Sequence, residues 1–258
     1  MSTPMVQTPQ SFIVRQECEK AAWQHGFRRP MASASEGWVA FASTTVPGTL
    51  SLAAAGDHGP WFLALDHGGV VEAVGLAPTA MPGPGLARYS FPDFGALYGV
   101  LPRVYALSAS LPDAPLQQFV AQVRSLPRTT EAERLVVQRL GQDIFRASLM
   151  EYWQGRCPLT GISDPDLLRA SHIIPWKHCR TDAARLDVHN GLLLSALWDA
   201  AFDRGLVTFD EAGQPRFSPH LSQAAQAELR WQEPIPLTVN HQTHLAWHRQ
   251  HVFGEVGP

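Results

Sequence analysis

The chain has 258 residues, with 20 lysines and arginines against 23 aspartates and glutamates, a net charge of -3 and 45% hydrophobic residues. That is enough for one large domain or two modest ones with a real core. The balance excludes a grip on nucleic acid by overall positive charge, so such contact needs a local basic stripe.

The first ten residues lack a basic flank followed by an apolar core, so no signal peptide is expected. No apolar run approaches the roughly 20 residues of a membrane span. Residues 11–26 read as a helix, with Ile13, Val14, Cys18, Ala21 and Ala22 near helical spacing. Strand-like runs follow at 38–42, 49–52 and 61–65, punctuated by Gly and Pro clusters. His67-Gly68-Gly69 reads as a hairpin turn into a further strand over 70–74, and 78–85 as a loop. Residues 1–115 are therefore expected to form a small α+β domain centred on an antiparallel sheet.

Residues 116–156 read as a helical linker, with a boundary at Pro127. One helix is expected over 114–126, with Phe119, Val120 and Val123 apolar. A second is opened by the capping-box pair Thr130 and Glu133 and runs to about Trp153. Its expected buried stripe is Leu135, Leu140, Ile144, Leu149 and Tyr152. Gly141 costs about 1 kcal/mol relative to Ala inside a helix, and marks a place for a kink or break. Arg124, Arg128, Arg134, Arg139, Arg146 and Arg156 outnumber the acids of 124–156. That enrichment reads equally as a DNA-facing stripe or a solvated helix face.

Residues 157–258 carry the chemistry. Cys18, Cys157 and Cys179 are odd in number and widely spaced, which fits neither a disulfide framework nor a paired-cysteine zinc site and suits a reducing, cytoplasmic setting. Leu167 to Ile174 reads as a first hairpin strand ending near His172, with Pro175 closing it. An imidazole titrating near neutrality is suited to take a proton from water beside a scissile phosphate. Asn190 precedes Gly191 and the apolar run Leu192 to Leu194, the second strand. As a turn residue, its side chain can pin the loop that bears His172. Asp199 and Asp203 stand at i and i+4, on one face of a helix, where two carboxylates can meet at one hard cation. Such a pair is also common on a solvated helix face.

Taken together, Ala170-Ser171-His172-Ile173, Pro175-Trp176, Arg185-Leu186-Asp187, Asn190 to Leu194 and Phe202-Asp203-Arg204-Gly205 resemble the core of the HNH endonucleases, the ββα-metal superfamily, in a restriction-type subgroup. The likeness extends to the preceding helix (141–146) and the tail Leu245-Ala246-Trp247-His248-Arg249, from roughly 130 to 253. It implies an α+β fold with a C-terminal ββα nuclease domain. It also implies a phosphodiester hydrolase acting on DNA, most naturally duplex, with one divalent metal, Mg²⁺ or Mn²⁺. By position, His172 matches the general base, Asn190 the middle asparagine, and Asp199 the family's final metal-binding histidine. Asp203 matches a further ligand, and Lys177, Arg185 and Arg204 are candidate phosphate clamps.

Two departures accompany this. Asp199 in place of histidine favours a hard cation over zinc or nickel. Ser171 occupies a place where many members carry a ligand. His244 and His248 on a terminal helix read as a DNA-facing or surface helix rather than a ligand cluster, and Trp176 and Trp198 as packing residues. One ββα site cuts one strand, so double-strand cleavage would call for a homodimer. Two alternatives stay open: a catalytically weak nucleic-acid-binding protein of the same fold, and a nuclease gated by a ligand of the N-terminal half.

Overall fold

The computed structural model describes residues 5–33, 35–124, 126–127 and 130–253. Arg128 of the basic run lies outside them. The fold is mixed α+β, and the chain divides into two compact units, Met1–Ala109 and Ser110–Pro258. No helix among the described residues is long and apolar enough to cross a membrane.

In the first unit, α1 (Phe12–Gln24) is opened by Ser11, whose hydroxyl accepts from the Val14 N–H at 3.2 Å. It buries Val14, Cys18, Ala21 and Ala22, whereas Ile13 is exposed. Five strands follow, β1 (Arg29–Met31), β2 (Val39–Ala42), β3 (Thr49–Ala54), β4 (Trp61–Leu65) and β5 (Ala87–Phe91), antiparallel and in sequence order. β4 is buried at every position, which explains its unbroken apolar run Trp-Phe-Leu-Ala-Leu.

Two expectations for this unit are corrected. The stretch after His67 is not a hairpin strand but a short helix, α2 (Gly68–Ala73), with the His67 ring accepting from the Val70 N–H at 3.4 Å. A long helix, α3 (Phe94–Ser110), closes the unit and was not foreseen; Leu97, Leu101, Val104 and Leu107 form its buried side.

The second unit begins with α4 (Asp113–Val123) and α5 (Glu131–Tyr152), the latter opened by the expected Thr130–Glu133 capping box. α5 passes through Gly141, the place marked for a kink or break, as one unbroken helix. A Cβ at Gly141 would lie 2.6 Å from the Trp176 ring, so the glycine makes room for a side chain of the next loop. The expected apolar stripe is buried only from Gly141 onward, and Leu135 is exposed.

The nuclease-like core is the hairpin β6 (Leu168–His172) and β7 (Gly191–Ser195), pairing His172 with Gly191 and Leu168 with Ser195. Between its strands lie the short helix α6 (Asp182–Leu186) and a tight turn over Val188–Asn190. α7 (Ala196–Asp203) follows directly and packs back on β6. A second hairpin, β8 (Val207–Phe209) with β9 (Pro215–Phe217), then leads through α8 (Gln223–Glu228) to α9 (Val239–His251).

Gly205 decides how α9 meets this core. Its φ is +66°, and a Cβ there would lie 2.3 Å from the Val252 carbonyl oxygen. Gly205→Ala meets both a left-handed backbone and a backbone clash, so it should destabilise the unit by more than the ~1 kcal/mol of an ordinary glycine replacement. A urea melt equal to that of the parent would refute this.

Candidate active site

His172 ends β6 and is only half-buried, yet its ring is held on three sides. Phe145 of α5, itself buried, stacks on it at 3.8 Å between centroids and 17° between planes. Trp176 meets it edge-on at 5.6 Å. Its Nε2 lies 2.9 Å from the backbone carbonyl of Arg185. A carbonyl can only accept, so Nε2 carries the proton and Nδ1 is left with the lone pair. Burial moves the imidazole below its usual range, only partly offset by that carbonyl bond, so the ring is neutral at pH 7.

Asn190 is fully buried and acts as a clasp. Its Oδ1 accepts from the Ile174 N–H at 2.8 Å, while its amide reaches the carbonyls of Ile174 at 3.2 Å and Ala184 at 3.1 Å. The amide also approaches Cys179 Sγ at 3.3 Å. One side chain thus fastens the chain just after His172 to the turn that leads into β7. Cys157 and Cys179 are both buried thiols.

Asp199 and Asp203 both lie on α7, one turn apart. Ser171, at the place where a further ligand was sought, instead donates its hydroxyl to Asp199 and orients that carboxylate. Partial desolvation, and then the charge of Asp199, push the Asp203 carboxyl up to about 6, against the pull of Arg204. A carboxylate whose ionisation is opposed by a neighbouring one in this way is relieved by a cation. Among the described residues no group of three or more His, Cys, Asp or Glu side chains is arranged to hold a metal. Two carboxylates suit Mg²⁺ or Mn²⁺, which complete their shells with water and substrate phosphate, better than a four-ligand zinc site.

A cleft of about 400 Å³ gathers His172, Lys177, Asp203 and Arg204, with Ser171 and His248 also on its wall. Arg185, the third candidate phosphate clamp, is engaged elsewhere. Its guanidinium bonds Asp182 at 2.8 Å and the carbonyls of Cys179 at 2.8 Å and Trp176 at 3.4 Å. Its contribution to the site is its backbone oxygen and a braced loop.

The reading of α9 as a DNA-facing or surface helix needs correction for half of its histidines. His241 and His248 are buried. His248 stacks on Phe202 at 4.0 Å and 4°, close to the Thr208 hydroxyl at 3.0 Å and the Phe202 carbonyl at 3.2 Å. His241 caps α9 through Thr238 at 2.8 Å and lies 5.0 Å from His189, ring to ring. Trp198 is buried, its indole N–H bonded to the Arg230 carbonyl at 3.1 Å, as befits a packing residue. Sequence reasoning missed Phe145; its place on the buried face of α5 was the available signal.

Residues 157–210 match the family model described as HNH endonuclease. This segment is an HNH domain. The match spans both strands of the β6–β7 hairpin and α7, and so includes His172, Asn190, Asp199 and Asp203. Nuclease activity in general is what such a domain supports. A comparison with curated proteins finds no match to the chain.

Proposed function

We propose that the chain is a metal-dependent DNA endonuclease that hydrolyses phosphodiester bonds through its HNH domain. Its setting is bacterial restriction or defence, with the N-terminal unit as a recognition or sensing part. One observation carries the catalytic reading: a neutral, tautomer-fixed imidazole shares a single cleft with two cationic side chains and one of a pair of carboxylates.

In this reading His172 Nδ1 takes the proton from the attacking water, and the Arg185 carbonyl keeps Nε2–H in place while charge develops on the ring. Lys177 and Arg204 hold the phosphate in the cleft. Asp199, oriented by Ser171, and Asp203 would hold the divalent cation. When bound, that ion supplies charge neutralisation for the phosphate and the departing 3′ oxygen. Because burial moves His172 below its ordinary value of 6.5, the acid limb of the pH–rate profile should lie below that value too.

Supercoiled-plasmid cleavage with Mg²⁺ or Mn²⁺, on plain and cytosine-modified DNA, tests the whole reading. Metal-dependent nicking or linearisation is the expected result, and cutting of modified plasmid alone would assign the N-terminal unit a reader's role. Asp199→Asn and Asp203→Asn should each weaken Mg²⁺ binding, measured by calorimetry, by at least the roughly 10- to 100-fold that loss of an outer-shell partner costs. Binding of DNA without cleavage under every metal tested would overturn the endonuclease reading, and unaltered Mg²⁺ affinity would overturn the ligand assignment.

A further inference from the structure

Three rings at the surface of the second unit take no part in the cleft chemistry. On α9, His251 stacks on Trp247 at 4.6 Å between centroids and 15° between planes, its ring orientation set by Nδ1–H donated to the Trp247 carbonyl at 2.9 Å. From the turn after β6, His178 packs against the same indole at 5.6 Å and 44°. His178 and His251 are exposed and Trp247 is partly so. Stacking of Trp247 on His251 alone would be a local event of one helix. The arrival of His178 from a segment far away in sequence makes a strip of three rings across two elements.

The strip has a definite place. Lys177 and Val252, the chain neighbours of His178 and His251, both line the catalytic cleft, so the rings begin where the cleft ends. The two segments that carry it are basic in sequence. Residues 176–181 and 244–253 contain Lys177, Arg180 and Arg249 and no aspartate or glutamate. Basic side chains without acids suit a polyanion, and flat exposed rings suit the faces of bases. In an intact duplex those faces are covered by stacking, leaving only edges and backbone to contact. A ring strip therefore matches a strand whose bases are unstacked.

We propose that the His178–Trp247–His251 strip binds an unpaired base of the DNA strand flanking the scissile phosphate, so that the enzyme prefers substrates already open beside the cut. This rests on the endonuclease reading above and adds the form of DNA it takes. Opening a closed duplex costs free energy for each nucleotide unstacked, so mismatched, looped or strained DNA reaches the strip more easily.

The test is equilibrium binding of the full chain, with Ca²⁺ replacing Mg²⁺, to two labelled DNAs of equal length: a closed duplex and one with a short central unpaired segment. The parent should bind the opened DNA more tightly. Trp247→Ala should lose about 5- to 100-fold on that DNA and less than about twofold on the closed duplex, with Trp247→Phe close to the parent. His251→Ala removes an exposed ring, leaves the fold intact by thermal melting, and should show the same selectivity with a smaller loss. Equal binding of both DNAs by the parent overturns the proposal while leaving the nuclease reading standing, as does an equal loss on both DNAs in the variants. Failure of the parent to bind either DNA, with or without metal, overturns the endonuclease reading and this inference together.

Discussion

His172→Ala should lower the single-turnover cleavage rate by about 10²–10⁴-fold, the usual contribution of a positioned general base, while DNA affinity stays within about threefold. The ring touches Phe145, Trp176 and the Arg185 carbonyl, none of which is a cationic group of the cleft, so substrate binding has little reason to change. Asn190→Ala makes the informative contrast. It removes a buried amide bonded to Ile174 and Ala184, taking away the side-chain partner of the Ile174 N–H and of the Ala184 carbonyl, so both rate and stability should fall, the latter by about 3 kcal/mol. Rapid-quench cleavage beside urea melts distinguishes the two variants. A His172→Ala enzyme that cuts at the parental rate would remove His172 from the base's role.

The second large effect is loss of stability in mild acid. Burial, aided by His189 and opposed by Asp187, pushes the His241 imidazole down to about 3. Burial pushes His248 down to about 4, with the Phe202 carbonyl opposing and Arg249 assisting. In the unfolded chain both titrate near 6.5, so between pH 6.5 and these values the unfolded state binds more protons than the folded one. The stability is fully present above pH 6.5 and is lost as pH falls through that window. By pH 5 each site should have cost roughly 2 kcal/mol. The urea midpoint should therefore fall steeply from pH 7.5 to 5. His241→Gln keeps a side chain able to close the Thr238 capping box and should flatten that slope by the roughly 2 kcal/mol that His241 contributes by pH 5. A midpoint that does not move with pH, or a variant as acid-sensitive as its parent, would show that these two rings are not the cause.

How far the sequence foretold this structure depends on which part is considered. The β6–β7 hairpin and α7 were legible because the apolar run Leu192 to Leu194, the Pro175 stop and the i,i+4 carboxylates are side-chain patterns. α2 was misread because Val70-Val71 after a Gly-Gly pair satisfies the strand template as well as a helix, and a histidine cap is a weak signal. α3 was passed over because Gly95, Gly99 and Pro102 suggest breaks, although Leu97, Leu101, Val104 and Leu107 recur at helical spacing. At the site, the residue types were readable and their partners were not. Ser171, at a place where many members carry a ligand, bonds Asp199, and Arg185, a candidate clamp, braces a loop through its guanidinium. For α9, composition revealed many histidines without indicating which of them face inward.

The contact between His172 Nε2 and the Arg185 carbonyl has a consequence for how this site tolerates genetic change. Every amino acid carries the same backbone oxygen, so no codon change at position 185 can delete the acceptor itself. Inheritance acts on it only indirectly, through whatever keeps the loop in register: the guanidinium braces of Arg185 and the Asn190 clasp. Drift at position 185 should thus appear as graded losses of rate, recoverable by second-site changes that stiffen the loop, whereas substitution of His172 has no such path back.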